Sequence, residues 1–105
     1  MRSIDGKTMT DTADDLHQAR LRKLWFRASR RGFKEADIIL GHFAEEYLPT
    51  MTAEQLDIFE ALLEAPDQDL YGWIIERDPV PPEHKSEIMS QLNQYYKIAY
   101  TKLQQ

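Results

Sequence analysis

The sequence predicts an all-α fold, a compact bundle of five short helices. Apolar residues recur at a period close to 3.6 along the chain, which is typical of amphipathic helices. No alternating apolar and polar run is long enough for a convincing strand. Most of the five prolines lie between the periodic segments, where residues that interrupt helices are expected.

The first helix is predicted over residues 14–31. Its apolar face follows helical spacing and consists of Leu21, Leu24, Trp25 and Ala28. Gly32 is well placed to end it, because glycine adopts the left-handed conformation without a Cβ penalty. The second helix is predicted over residues 34–48 and ends before Pro49. Its apolar face contains Ile39, Phe43 and Tyr47, which lie one turn apart. Glu35 and Asp37 fall in its first turn, where negative charge is favourable.

The third helix is predicted to begin at Thr52, because Thr52 and Gln55 form the Thr-x-x-Gln pattern of a capping box. The fourth is predicted over residues 67–76, and a proline-rich linker follows it. The fifth is predicted from Pro82 or Glu83 towards Tyr100. The apolar faces of these three helices comprise Leu56, Phe59, Leu62, Leu63, Leu70, Trp73, Ile74, Ile88, Leu92, Tyr95, Tyr96 and Ala99.

Length and composition favour one globular domain. The chain has 105 residues, of which 42% are apolar and 30% charged. We expect a disordered leader over residues 1–13, a helical domain over residues 14–100 and a frayed tail over residues 101–105. The absence of cysteine excludes disulfides and thiolate metal sites. No run of about 20 apolar residues occurs, so we expect no membrane insertion. The lack of cysteine fits a reducing compartment, and we expect a bacterial-type cytoplasmic location.

Charge is divided unevenly along the chain. Residues 17–35 contain seven basic residues and one acid, whereas residues 36–78 contain eleven acids and one base. Such a division favours oriented docking on a complementary partner. The two regions meet at Arg30-Arg31-Gly32-Phe33-Lys34-Glu35, which we interpret as a recognition surface. We expect Phe33 to be partly exposed there and to act as an apolar anchor.

The sequence contains few motifs typical of catalytic or cofactor-binding sites. No nucleophile elbow, phosphate-binding loop or dinucleotide fingerprint is present, so we expect no enzyme activity and no metal or tightly bound cofactor. His42 and Glu45 share a helical face, but a carboxylate-bridged metal site needs a second such pair. Glu60 and Glu64 are interpreted as part of a solvated acidic face.

The basic helix leaves nucleic-acid binding open as an alternative. Basic side chains recur close to one face, at Arg20, Lys23, Arg27 and Arg31. Glu35 and Asp37 lie directly at the following turn, where they would repel phosphate. We therefore expect no nucleic-acid partner, although a toxin–antitoxin-type helical adaptor also remains an alternative.

Two stretches resemble the succinate dehydrogenase flavin-assembly-factor family, the SdhE-like proteins. The first reads Arg27-x-x-Arg30-Arg31-Gly32-Phe33-Lys34-Glu35-x-Asp37, followed by Ile39-Leu40-x-x-Phe43. The second, residues 62–73, is similar to the family's Leu-Leu-Glu-x-x-Asp-x-Asp-Leu-x-x-Trp segment. The position after the glycine, often methionine in the family, is Phe33 here, which keeps an apolar group. The resemblance implies a small five-helix protein.

The resemblance also implies a chaperone-like function. Members of the family bind the flavoprotein subunit of succinate dehydrogenase, and often of fumarate reductase, and promote covalent attachment of FAD. On this view FAD belongs to the client subunit. The family's Arg-Gly-x-x-Glu motif falls on Arg31, Gly32 and Glu35, and we expect Arg31 to form a two-pronged contact with a client carboxylate. The partner-binding residues expected in all are Arg27, Arg30, Arg31, Gly32, Phe33, Glu35 and Asp37.

Overall fold

The computed structural model describes the backbone of residues 4–104 and the side chains of residues 13–99. Five α-helices follow one another along the chain, α1 (Ile4–Ala28), α2 (Lys34–Tyr47), α3 (Ala53–Leu63), α4 (Asp67–Ile74) and α5 (Glu87–Gln104). Short 3₁₀ turns lie at Leu48–Thr50 and Pro82–His84. No strand occurs within residues 4–104. The predicted all-α, five-helix architecture is confirmed.

The core lies where α2 and α3 meet α5. Phe43 and Phe59 are fully buried at its centre, with their ring centroids 5.8 Å apart. Leucine, isoleucine and methionine side chains complete it, including Leu24, Leu40, Leu56, Leu62, Leu70, Ile74, Ile88, Met89 and Leu92. Burying such side chains contributes about 1.5–3 kcal/mol each before the entropy of ordering is counted. The apolar faces predicted for α2, α3 and α4 therefore supply most of the core.

The first helix departs from its prediction at the C-terminal end. It ends at Ala28, three residues before the expected Arg31, and Gly32 is therefore not its immediate cap. It begins at Ile4 rather than Asp14. The disordered leader expected over residues 1–13 and the frayed tail expected over residues 101–105 both stay predictions, because nearly all of their side chains lie outside the described ones.

Trp25 was expected in the buried face of α1, and that prediction is wrong. Its side chain is 40% exposed, whereas Leu24 and Ala28 are buried. The indole lies at the edge of the interface, over a groove that Ala44 and Leu48 also line. Helical spacing placed Trp25 within the apolar face of α1, but spacing alone does not show how much of that face the neighbouring helices cover.

Local capping explains where two of the other helices begin. Thr52 and Gln55 form the predicted capping box, with the Gln55 amide donating to the Thr52 hydroxyl over 3.1 Å. The start of α5 falls later than predicted, at Glu87. The Ser86 hydroxyl accepts a 3.1 Å hydrogen bond from the Met89 amide, so Ser86 caps this helix.

The packing of α1 brings the chain's basic and acidic segments together. A Cβ atom on Gly41 of α2 would lie 3.0 Å from Cβ of Ser29, so the small residue permits close approach. On the other side of α1, Arg20 lies 2.7 Å from Asp57, and Arg27 lies 3.0 Å from Glu64 of α3. Helices α1 and α3 therefore run in the same direction. No helix in the described part is both long and apolar enough to cross a membrane.

Candidate functional site

The turn that connects α1 to α2, residues 29–33 and hereafter the α1–α2 turn, lies where the two charge regions meet. Gly32 has φ +117°, a conformation that L-residues with a side chain rarely adopt. Phe33 is extended, with φ −146° and ψ 153°, and precedes the first residue of α2. The chain therefore reverses direction through a tight path that depends on glycine at position 32.

Arg31 is directed into the protein. Its side chain is only 8% exposed, and its Nη2 atom lies 3.0 Å from a carboxylate oxygen of Asp67. The guanidinium also donates to the carbonyls of Leu63 and Ala65, both over 2.9 Å. These carbonyls lie at the C-terminus of α3, where helical carbonyls lack intrahelical partners and a positive charge is favourable. Arg31 thus caps α3 from the neighbouring turn.

This placement corrects the role expected for Arg31. A two-pronged contact with a client carboxylate requires an accessible guanidinium edge, and both terminal nitrogens are already used within the chain. The Nε atom is buried without a hydrogen-bond partner among the described residues, which offsets part of the stabilisation. Arg31 therefore holds the α1–α2 turn in place.

Gly32 is required by its own surroundings. A Cβ atom at this position would lie 2.9 Å from the second carboxylate oxygen of Asp67. That side chain cannot move freely, because its other oxygen is paired with Arg31. The bare backbone of Gly32 is exposed on the outer side of the turn, so a partner has access to it as well.

Asp37 closes the turn from α2. Its carboxylate accepts hydrogen bonds from the backbone amides of Arg31 and Gly32, the latter over 3.2 Å. The Asp37 amide in turn donates to the Phe33 carbonyl over 3.0 Å. Consecutive amides that point to one carboxylate form an anion nest, and here an internal anion fills it. Asp37 is therefore part of the scaffold of the turn.

Phe33 is half-buried and contacts α4. Its ring meets that of Tyr71 edge to face, with centroids 5.2 Å apart. The partial exposure expected from the sequence is found. This contact between the Phe33 and Tyr71 rings holds the start of α2 against α4. It leaves only part of the Phe33 ring accessible as an apolar anchor for a partner.

Glu35 lies in the first turn of α2 and differs from Asp37 and Asp67, which contact the α1–α2 turn. It is exposed, and it forms no hydrogen bond or ion pair with any residue in the described part of the chain. Burial raises the pKa of the Tyr71 phenol, and the neighbouring Tyr96 and Glu35 raise it further. The carboxylate of Glu35 therefore lies close enough to influence Tyr71 while remaining accessible to a partner.

The two remaining basic candidates face different ways. Arg30 is exposed, and its guanidinium carbon lies 4.1 Å from the centroid of the half-exposed Phe26 ring, in a cation–π arrangement. Arg27 faces α3 and pairs with Glu60 and Glu64 at 3.8 and 3.0 Å. Glu60 and Glu64 remain 44% and 68% exposed, which agrees with the expected solvated acidic face, and they also pair with this arginine.

The same pairing bears on the nucleic-acid alternative. Three of the four basic residues on the expected face, Arg20, Arg27 and Arg31, are paired with carboxylates of α3 and α4. A phosphate would have to displace those carboxylates, so this arrangement disfavours the alternative. Within the described side chains, no group of three or more histidine, aspartate or glutamate residues is arranged to hold a metal ion.

Asp67 is the site residue that sequence reasoning missed. It begins α4 and lies more than thirty positions from the turn it contacts. Its signal was present in the sequence, because Asp67 belongs to the second of the two family-like stretches. Spacing alone does not show that two stretches meet in space, so the contact could be found only from the structure.

The chain matches a known protein family over most of its length. The family model described as "Flavinator of succinate dehydrogenase" matches residues 22–96. The chain belongs to this family. The matched range contains the α1–α2 turn, all of α2, α3 and α4, and Asp67.

Similar proteins come from bacteria and eukaryotes. The chain is 42% identical over 87 residues to the FAD assembly factor SdhE of Acetobacter pasteurianus, an alignment that covers 83% of this chain and 80% of that protein. It is 36% identical over 84 residues to succinate dehydrogenase assembly factor 2-A, mitochondrial, of Drosophila persimilis. The factor 2 protein of Dictyostelium discoideum is 32% identical over 84 residues. The chain spans 52% and 60% of these two mitochondrial relatives.

Proposed function

We propose that this chain binds the flavoprotein subunit of succinate dehydrogenase and promotes covalent attachment of FAD to that subunit. Membership of the flavinator family and the names of its relatives support the proposal. The observation that carries it is the α1–α2 turn. It is held from within by Arg31 and Asp37, and it leaves the Gly32 backbone and the Glu35 carboxylate accessible.

These contacts suggest different roles for the residues in and beside the α1–α2 turn. In this proposal Arg31 and Asp37 act within the chain and fix the path of the backbone, which their internal hydrogen bonds support. The Gly32 backbone permits close approach, and Glu35 provides a client cation with a carboxylate that has no ionic partner among the described side chains. A helper that holds its client in one conformation aligns the reacting groups and lowers the barrier by orientation.

We further propose that FAD is held by the client and not by this chain. FAD itself supplies the reactivity of the attachment step. The Arg31 and Gly32 amides form an anion nest that could otherwise receive a phosphate, and they already donate to Asp37. Glu35 adds negative charge at the same place. These residues therefore do not fit a dinucleotide phosphate.

Glu35→Ala tests the proposal, and Glu54→Ala is a matched control. Both glutamates are exposed at the second position of a helix, Glu35 in α2 and Glu54 in α3, so both variants lose the same helix-dipole interaction. That interaction contributes about 0.3–1 kcal/mol. We expect both variants to fold, but only Glu35→Ala to reduce covalent flavin on the client.

The measurement uses cells that lack this chain and express one variant at a time. The chain is affinity-captured, its partners are identified, and covalent flavin is read from the fluorescence of denatured flavoprotein subunits of succinate dehydrogenase and fumarate reductase. Equal flavin levels with Glu35→Ala and Glu54→Ala would remove Glu35 from the site. Capture of partners without any flavoprotein subunit would reject the proposed function.

A further inference from the structure

The two family-like stretches meet at a single side chain, Asp67. One of its carboxylate oxygens lies 3.0 Å from Nη2 of Arg31. The other lies 2.9 Å from the position that a Cβ atom on Gly32 would occupy. Both oxygens of Asp67 therefore face the α1–α2 turn, one as an ionic partner and the other as a steric boundary.

Asp67 is itself held in a defined place. It is the first residue of α4 and follows Pro66, whose carbonyl accepts a 3.0 Å hydrogen bond from the Leu70 amide. The carbonyls of Leu63 and Ala65, just before this corner, accept the other hydrogen bonds from Arg31. The α3–α4 corner thus binds the Arg31 guanidinium through two carbonyls and one carboxylate, and the carboxylate of Asp67 is the charged group among these three.

The contacts of Arg31 also constrain the exposed Gly32 and the first turn of α2. Arg31 and Gly32 are adjacent, and both of their amides donate to Asp37 in the first turn of α2. Glu35 lies in that same turn of α2. A displacement of Arg31 would therefore shift the Gly32 backbone and, through Asp37, the start of the helix that carries Glu35.

We propose that Asp67 is a positioning residue for client docking, acting through Arg31 and Gly32 and without contact with the client. This inference rests on the proposed function. Its physical basis is preorganisation, because a turn that is ordered before binding loses less conformational entropy on binding. Apparent affinity falls in proportion to the fraction of molecules whose turn has the competent conformation.

Asp67→Asn tests the inference, and Asp57→Asn is its matched control. Each variant removes one negative charge from an ion pair with an α1-side arginine. Asp57 is far more exposed than Asp67 and pairs with Arg20, away from the turn. If Asp67→Asn does not fold, Asp67→Ser replaces it, because serine also removes the charge and keeps a small polar side chain.

The first readout is amide hydrogen exchange at Arg31 and Gly32, measured by NMR on the isolated chain. The second is the affinity for the purified flavoprotein subunit without flavin, under conditions where urea titration shows each variant to be fully folded. We expect faster exchange at both amides and about tenfold weaker binding for Asp67→Asn, since a tenth of the competent population gives a tenth of the affinity. Asp57→Asn should change neither.

A purely structural role would lower the free energy of unfolding without changing the affinity of the folded molecules. Unchanged binding by fully folded Asp67→Asn, or a loss of equal size in Asp57→Asn, would therefore overturn the inference. If the wild-type chain binds no flavoprotein subunit, the proposed function fails. Unchanged hydrogen exchange at the Arg31 and Gly32 amides in Asp67→Asn would separately refute the claim that Asp67 orders the turn.

Discussion

Replacing Arg31 with alanine tests the view that this arginine works inside the chain. The substitution removes two hydrogen bonds to the carbonyls of Leu63 and Ala65 and the ion pair with Asp67. A hydrogen bond from a charged group contributes about 1.5–3 kcal/mol. Two effects reduce the loss of stability. Water can hydrogen-bond to the part-exposed Asp67 in place of the arginine, and the substitution removes the buried, unpaired Nε atom. We therefore expect a net loss of about 3 kcal/mol.

That loss is large for a domain of this size, whose total free energy of unfolding is about 5–15 kcal/mol. Arg27→Ala is the control, because Arg27 is an arginine of the last turn of α1 that also pairs with carboxylates. Its partners Glu60 and Glu64 are 44% and 68% exposed, so we expect a loss of about 0.2–1 kcal/mol. Arg31→Lys should fall between the two, since lysine keeps the charge but lacks the planar fork.

The assay is urea unfolding followed by far-ultraviolet circular dichroism, with the slope checked for each variant. An Arg31→Ala loss no larger than that of Arg27→Ala would refute the internal role. A loss of client flavin in Arg31→Ala then has two sources, fewer folded molecules and a disordered turn. Flavin levels must therefore be compared at equal amounts of folded chain.

Two further predictions concern the same region. Gly32→Ala should lower the free energy of unfolding by about 1–3 kcal/mol, because φ is +117° and the new Cβ atom meets Asp67; unchanged or higher stability in urea would contradict this. Burial raises the pKa of Tyr71 in the folded chain, so its contribution to stability is complete below about pH 10 and is lost as the pH rises through the folded pKa. Tyr71→Phe should therefore flatten the alkaline fall in urea stability, and an unchanged slope would exclude this role.

Local signals in the sequence predict most of the helices. The capping box of Thr52 and Gln55 depends on residues three positions apart, and it is found as predicted. The apolar spacing of α2 and α3 likewise places Phe43 and Phe59 in the core. These features could be predicted because their causes lie within one turn of helix.

Contacts between distant segments explain the misses. Helical propensity carries the first helix to Arg31, but the buried contacts of Arg31 with α3 and α4 and the Asp37 hydrogen bonds hold these residues outside it. The sequence also shows Arg31 as a charged residue beside a glycine, which suggests an exposed group. Only the structure shows that Asp67 and two carbonyls draw it inward.

The central claim is tested most directly with purified components. Flavin-free flavoprotein subunit of succinate dehydrogenase is incubated with FAD, with and without this chain, and covalent flavin is measured as fluorescence of the denatured subunit. We predict that the chain raises the rate of covalent attachment and that Glu35→Ala does so less well than Glu54→Ala. Equal rates with and without the wild-type chain would contradict the account.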